Sequence, residues 1–176
     1  VKAEYAKEMV TGFIQLDGVT VGAVANRTAI YDENGEKAEE FAAVLTTDGA
    51  YKAAEFVTFC NAFEIPVLSL TNVKGFEANV RAEKTIAKAA AKLVYAFSNA
   101  DVPKVNVITG EAYGSAYVAM NSKSVGADMV YAWSQASIGM MDASLAAKIM
   151  YADEIAAADD VTAKINEKAS EYAALQ

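Results

Sequence analysis

The order of the predicted elements indicates an α/β fold in which strands and helices form packed layers. Short apolar runs rich in Val, Ile and Leu alternate with longer segments whose apolar residues recur at helical spacing. A β-hairpin signal precedes this alternation, because Asp17 and Gly18 separate two apolar runs. Together these observations predict a hairpin followed by strand–helix units that are joined by right-handed crossovers.

The first half of the chain contains the hairpin, one complete strand–helix unit and a second buried strand. We predict these elements in order: hairpin strands at 13–16 and 19–24, a solvated loop or strand extension at 28–40, a strand at 41–45, a helix at 50–63 capped from 46–49, a strand at 66–70 and a loop at 71–76. The loop at 71–76 follows a strand, and ligands of α/β sheets prefer that end of a strand.

The second half repeats the alternation and ends in helices. We predict a helix at 82–99, a strand at 104–108 that turns through Gly110, a helix at 114–124, a strand at 129–133, a helix capped by Asp142 and Ser144, and an acidic helical tail ending at Gln176. The inward face of the helix at 82–99 is predicted to carry Ile86, Ala90, Leu93, Val94 and Phe97.

Composition argues against several classes of function. A formal net charge of −8 argues against nucleic acid as a partner, since phosphate neutralisation needs clustered Lys and Arg. The chain has no His and one cysteine, Cys60, which excludes Ser-His and Cys-His nucleophile pairs and argues against a zinc site. No apolar run reaches the ~18 residues of a membrane span. The single cysteine allows no internal disulfide, and no signal peptide is visible at the N-terminus. Both observations predict a cytoplasmic protein.

Residues 105–120 carry the strongest functional signal. An apolar run leads through Gly110 to Gly114, Ser115 and Ala116, and an Ala/Val/Met run of helical character follows. A strand that enters a helix through small residues leaves free backbone N–H groups, which can bind an oxyanion or a phosphate. A purely structural turn is the alternative. Ser115 is not expected to be a nucleophile, and no Gly-Lys-Ser/Thr follows Gly110 as a phosphate-binding loop requires.

Basic residues form a stripe on the predicted helix at 82–99. Lys84, Lys88 and Lys92 are spaced four apart, which places them on one face. The stripe is interpreted as a solvated face or, alternatively, as a contact for an anion such as a cofactor phosphate or an acidic carrier.

Two further groups of residues have structural interpretations. Cys60 lies on the apolar face of the helix at 50–63 and is predicted to fill the core. The aromatic residues Tyr95, Tyr113, Tyr117, Tyr131 and Trp133 are predicted to lie in the core or at a subunit interface.

Nine segments, in the same order along the chain, resemble the C-terminal half of biotin-dependent acyl-CoA carboxyltransferases. That family includes the β subunits of propionyl-CoA and acetyl-CoA carboxylases and the related methylmalonyl-CoA and glutaconyl-CoA decarboxylase subunits. The matching segments are 16–26, 54–67, 74–76, 91–96, 102–109, 112–117, 122–123, 126–128 and 131–133. The resemblance implies a crotonase-like ββα superhelix, in agreement with the predicted order of elements.

The resemblance also implies that this chain is half of an enzyme. In the family, an N-terminal domain serves the acyl-CoA, a C-terminal domain serves the biotin, and the active site lies between domains of different subunits. Residues 1–11 are then expected to be a leader or linker from an N-terminal domain, and 12–176 the biotin-side domain. The expected partners are that N-terminal domain, a biotin carboxyl carrier protein and further copies of the chain, and the fragment alone is expected to be inactive.

By resemblance, specific residues acquire roles. The backbone N–H groups of Ser115 and Ala116, which follow Gly114, are expected to stabilise negative charge on the biotin ureido oxygen. Lys74, Gly75, Phe76 and Tyr113 are expected to line the biotin pocket, and Lys88 and Lys92 correspond to basic positions beside it. No metal is expected.

The chain departs from the family pattern at its most important turn. The family usually has Gly-Gly-Ala where this chain has Gly114, Ser115 and Ala116, and a positive φ at Ser115 would be strained. Lys74 also replaces a usual proline. Two other functions therefore stay open: a non-catalytic assembly or carrier-docking module, and a biotin-independent crotonase-type enzyme acting on acyl-CoA.

Overall fold

The computed structural model describes residues 1–174, which fall into two compact units. The first unit is Val1–Ser137 and the second begins at Ile138. The first unit contains the main sheet and every predicted site residue, so it sets the geometry of the candidate site.

The first unit opens with the predicted hairpin. Strands β1 (Met9–Leu16) and β2 (Val19–Asn26) pair antiparallel, and Asp17 and Gly18 connect them with φ of +49° and +79°. Positive φ at both turn residues matches the twist of the flanking strands. Strand β1 begins at Met9, earlier than predicted, because the Met9 side chain is buried in the core at 1% exposure. The role of residues 1–11 as a link to another domain stays a prediction.

The remaining elements of the first unit keep the predicted alternation of strands and helices, but residues 71–73 and 75–76 of the predicted loop at 71–76 are strands. They are β3 (Ala29–Tyr31), β4 (Lys37–Glu40), β5 (Val44–Leu45), α1 (Thr47–Ala62), β6 (Val67–Val73), β7 (Gly75–Phe76), α2 (Val80–Asn99), β8 (Lys104–Tyr113), α3 (Gly114–Ala119), a 3-10 turn (Lys123–Val125) and β9 (Met129–Ala132); β10 (Ser137–Gly139) crosses the boundary between the units. The main sheet has the order β1-β2-β6-β8, and β9 also pairs with β8. Strands β2, β6, β8 and β9 run parallel.

Helices α1 and α2 pack against each other, and their apolar faces supply much of the core. The predicted inward face of α2 is confirmed, since Leu93 and Phe97 are fully buried and Ile86, Ala90 and Val94 are half-buried. The acidic segment at 28–40 contains the antiparallel pair β3 and β4, so the strand-extension alternative is the correct one.

The predicted end of β8 is wrong. The strand continues through Gly110 to Tyr113, and β6 likewise extends to Val73. The register of the two strands shifts after Thr71, where the side-chain oxygen of Asn72 accepts a 3.0 Å hydrogen bond from the backbone N–H of Glu111. A Cβ on Gly110 would lie 2.7 Å from Asn72 Oδ1, so glycine is required here for close approach and not for a turn.

The predicted helix at 114–124 is also too long. Helix α3 ends at Ala119, and Asn121 follows with a φ of +56°. Asparagine tolerates this left-handed conformation, which commonly terminates a helix.

The second unit is helical. It contains α4 (Ala143–Met150), α5 (Ala152–Ala156) and α6 (Val161–Ala173), and the Asp142 carboxylate caps α4 as predicted by accepting hydrogen bonds from the N–H groups of Ser144 and Leu145. Residues 175 and 176 at the end of the predicted tail lie outside the described residues. Within residues 1–174, none of the helices combines the length and the hydropathy that a membrane crossing requires.

Candidate functional site

The carboxyl ends of β6 and β8 deliver the two predicted site segments to one edge of the sheet. Strand β6 leads through Lys74 into β7, and β8 leads directly into α3. Because β6 and β8 are parallel neighbours, their carboxyl ends lie side by side, and α3 contacts β6, β7 and β8. Strand β7 is fixed from its other side by parallel pairing with β5. The structure therefore brings Gly75 and Phe76 together with residues 114–116.

The start of α3 presents backbone donors that no side chain satisfies. Tyr113 is the N-cap residue of α3 and makes no side-chain capping hydrogen bond. The first N–H groups of an α-helix have no partner within the helix. Among residues 1–174, no hydrogen bond of a turn, loop or cap uses the N–H groups of Ser115 or Ala116. Ser115 is exposed and Ala116 is buried, so the pair sits at the boundary of the protein surface.

The positive φ that the turn requires falls on glycine. Gly114 has a φ of +57°, and Ser115 is not among the residues with positive φ. Serine at position 115 therefore carries no backbone strain, although the family usually has glycine there. The departure from the family pattern leaves both N–H donors in place.

Two tyrosines, Tyr113 and Tyr117, flank the donors and are at least partly buried. Tyr113 is buried, and its hydroxyl lies 2.7 Å from the Ser137 Oγ atom. Burial raises the pKa of Tyr117, which keeps that phenol neutral near pH 7.

An ion pair and an amide contact join the ends of β6 and β8. The Lys74 Nζ atom lies 3.1 Å from a carboxylate oxygen of Glu111, and both side chains are partly exposed. The N–H group of the same Glu111 donates to Asn72. Sequence reasoning placed Asn72 in the loop at 71–76 but missed Glu111 and the contact between them, because the two residues lie far apart along the chain.

The lysine stripe lies on the exposed surface of α2. Lys84, Lys88 and Lys92 are all exposed, and the Lys92 ammonium lies 5.3 Å from the centroid of the Tyr51 ring. Helix α2 contacts α3, so the stripe belongs to the same part of the first unit. The geometry is compatible with a solvated face and with an anion contact.

A cleft of about 680 Å³ lies on one side of β7. Phe76 is in its wall, together with residues before β5 and at the starts of α1 and α2. Its charged groups include an ion pair of 3.0 Å between Arg81 and Asp48. No residue of α3 lines the cleft, so the donors of Ser115 and Ala116 open elsewhere. Within residues 1–174, no three His, Cys, Asp or Glu side chains could hold a metal ion together.

The interpretation of Cys60 as core filler is confirmed. Cys60 is fully buried, and burial raises the pKa of its thiol to about 11. The aromatic residues divide into two groups: Tyr113 is buried and Tyr117 half-buried, whereas Tyr95, Tyr131 and Trp133 are more than half exposed. The core interpretation is therefore wrong for the exposed three, and a subunit interface stays a prediction for them.

Comparisons with known proteins agree on one family. The family model of the carboxyl transferase domain matches residues 1–176. The chain is 42% identical over 98% of its length to the methylmalonyl-CoA carboxyltransferase 12S subunit of Propionibacterium freudenreichii subsp. shermanii, and covers 31% of that subunit. It is 43% identical over 96% of its length to a putative propionyl-CoA carboxylase beta chain of Bacillus subtilis, again covering 31% of the relative.

A solved structure extends the agreement to three dimensions. The transcarboxylase 12S crystal structure, a hexamer assembly with methylmalonyl-coenzyme A and methylmalonic acid bound, matches with a TM-score of 0.85 and 42% identity. The match covers 100% of this chain and 32% of that chain. The fold and the site thus define a crotonase-like α/β domain, as predicted. The chain belongs to the carboxyl transferase domain family, and it spans about a third of the length of the curated relatives that it matches.

Proposed function

We propose that this domain is the biotin-side half of an acyl-CoA carboxyltransferase, which moves a carboxyl group between carboxybiotin on a carrier protein and an acyl-CoA. The observation that carries the proposal is the uncapped start of α3, where Ser115 and Ala116 offer two backbone N–H donors beside β7. The names of the relatives support propionyl-CoA or methylmalonyl-CoA as the acyl substrate.

The residues present fit the chemistry of biotin. When bound, biotin supplies the carboxyl group and holds negative charge on its ureido oxygen as that group leaves. The N–H groups of Ser115 and Ala116 would donate to this oxygen, and preorganised donors of this kind stabilise charge that develops during a reaction. Gly75, Phe76 and Lys74 would form the facing wall, with Lys74 held at the edge by Glu111.

The absence of histidine is consistent with this assignment. Backbone dipoles do not titrate, so the charge is stabilised without a side-chain acid or base. Tyr113 would contribute to the wall of the pocket, because the hydrogen bond between its hydroxyl and Ser137 holds its side chain in place. Lys88 and Lys92, which are exposed on α2, would contact an anionic group of the carrier or of the acyl-CoA.

The acyl-CoA would be bound by an N-terminal carboxyltransferase domain of another copy in a homo-oligomer. The exposure of Ser115 supports this arrangement, because the residue of the first donor lies at the surface of the first unit. The greater length of the relatives supports a further domain, and the hexameric assembly of the solved structure supports a homo-oligomer. We place the reaction in the cytoplasm, where the single buried thiol needs no disulfide partner.

The test is a carboxyl-transfer assay with the complete polypeptide that carries this domain, a biotinylated carrier and propionyl-CoA or methylmalonyl-CoA. We expect transfer that depends on biotin, and no turnover by residues 1–176 alone. Binding of the carrier without transfer would instead indicate a docking module. Turnover of acyl-CoA in the absence of biotin would indicate a different crotonase-type enzyme.

A further inference from the structure

Four polar side chains are fully buried beneath the far end of α3. They are Ser69 and Thr71 of β6, Asn106 of β8 and Asn121, and each is 0% exposed. The surrounding core consists mainly of Ala, Val, Leu, Phe and Met side chains. Buried polar groups destabilise a fold unless they are hydrogen-bonded, so a polar cluster at this place indicates a specific task.

One chain of hydrogen bonds runs from the sheet to the end of α3. The Thr71 hydroxyl donates to Asn106 Oδ1 at 2.8 Å, and Asn106 Nδ2 donates to the carbonyl oxygen of Met120 at 3.1 Å. Met120 is the C-cap residue of α3. The Thr71 hydroxyl also lies 3.4 Å from the same carbonyl oxygen, so the end of the helix is fixed to two neighbouring strands through Asn106 and Thr71.

Asn121 adds a second attachment at the same end. Its φ of +56° turns the chain out of the helix, and its Nδ2 atom donates to Ser69 Oγ at 3.1 Å. Its Oδ1 atom is buried without a partner, which an apolar residue at this position would avoid. Asn121 therefore both ends the helix and attaches that end to β6.

Tertiary contacts at this end help to position α3. The helix has six residues and no side-chain cap at its start. A helix of this length is not stable alone, so tertiary contacts determine where it lies. The donors at 115 and 116 precede Met120 by about 6–7.5 Å along the axis, at about 1.5 Å per residue. A shift at Met120 would consequently be transmitted to both N–H groups.

We propose that Thr71 and Asn106 are positioning residues, which act through the Met120 carbonyl to hold the Ser115 and Ala116 donors in line with the bound anion. This inference rests on the proposed function. It assigns no contact with biotin to Thr71 or Asn106, because both lie inside the core.

Two substitutions of Thr71 separate hydrogen bonding from packing. Thr71→Val keeps the shape and removes the hydroxyl, whereas Thr71→Ser keeps the hydroxyl and removes a methyl group. In the complete polypeptide with carrier and acyl-CoA, we expect Thr71→Val to lower kcat about tenfold, less than the ~100-fold or more for loss of an oxyanion donor. The KM for acyl-CoA should stay within about twofold, because a different domain binds it. Thr71→Ser should retain clearly more activity than Thr71→Val.

A matched control separates positioning from general loss of stability. Val57 is fully buried in α1, so Val57→Ala should lower the Tm without a comparable fall in kcat. Asn106→Leu is the second variant and should reproduce the kcat effect of Thr71→Val. Equal kcat for Thr71→Val and the unsubstituted protein, or a greater loss for Thr71→Ser, would overturn the positioning role. Absence of any transfer by the unsubstituted protein would instead overturn the proposed function.

Discussion

Helices α1 and α3 begin in opposite ways, although both follow strands of the same unit. At the start of α1, the Thr46 side chain accepts a 2.9 Å hydrogen bond from the N–H of Gly49. At the start of α3, no side chain caps the helix, and the preceding Tyr113 has its hydroxyl engaged elsewhere. The cap gives one N–H group in the first turn of α1 a partner, whereas the start of α3 has no side-chain cap.

This difference supports the proposal that α3 serves the site, whereas α1 has a structural role. Helix α1 has 16 residues, a capped start and a buried apolar face, so local propensity and packing both stabilise it. Helix α3 has neither length nor cap and depends on contacts from β6 and β8. N–H donors without a partner at the start of a short helix do not favour folding. They suit a site that binds an anion.

Ser115→Pro should have the largest effect, because it removes one open donor from α3. Proline is tolerated in the first turn of a helix, where its missing N–H breaks no helical hydrogen bond. We expect kcat for carboxyl transfer to fall about 100- to 1,000-fold. Ser115→Ala retains the N–H and loses only the hydroxyl, so its kcat should far exceed that of Ser115→Pro. Similar losses in both variants would indicate that the side chain acts instead.

Gly114→Ala should have the next largest effect, since it places a Cβ where φ is +57°. We expect the free energy of unfolding to fall by about 1 kcal/mol in urea denaturation, and kcat to fall as the turn adjusts. Gly35→Ala is the matched control, because Gly35 has a φ of +81° in the exposed turn between β3 and β4. It should lose similar stability and no kcat. A kcat loss in Gly35→Ala would remove the link between the α3 turn and activity.

The contrast between the two helices was only partly predictable from the sequence. The Asp17-Gly18 hairpin, the cap region of α1 and the inward face of α2 depend on neighbouring residues, and each was predicted correctly. The end of β8 was not, because it depends on Asn72, which is 39 positions from Glu111 in the chain. The contacts of Thr71, Asn106 and Asn121 with α3 are equally non-local. The turn at residues 114–116 can be read from the local sequence, whereas the contacts that hold α3 in place cannot.

Thr46→Ala removes the side-chain cap of α1 and tests whether that cap affects stability alone. Loss of the cap should lower the free energy of unfolding by about 1 kcal/mol, measured in urea, because one N–H of the first turn loses its partner. Activity should not change, since α1 provides no donor to the site. Thr46→Ser retains the capping oxygen and should retain most of the stability. A fall in kcat for Thr46→Ala at full folding would show that the two helix starts are not independent.

Cys60 gives the smallest effect near neutral pH, and it tests whether α1 is chemically inert. Burial raises the pKa of the thiol from its ordinary value of 9.0 to about 11, so the neutral form is favoured in the folded protein. Its contribution to stability is therefore fully present below about pH 9 and is lost as the pH rises towards 11. Iodoacetamide at pH 8 should label Cys60 only after unfolding, as measured by mass spectrometry. The fall in stability above pH 9 should be smaller in Cys60→Ala than in the unsubstituted protein. Rapid labelling of the folded protein would mean that α1 opens locally, and then the difference between α1 and α3 would lie in dynamics as well as in capping.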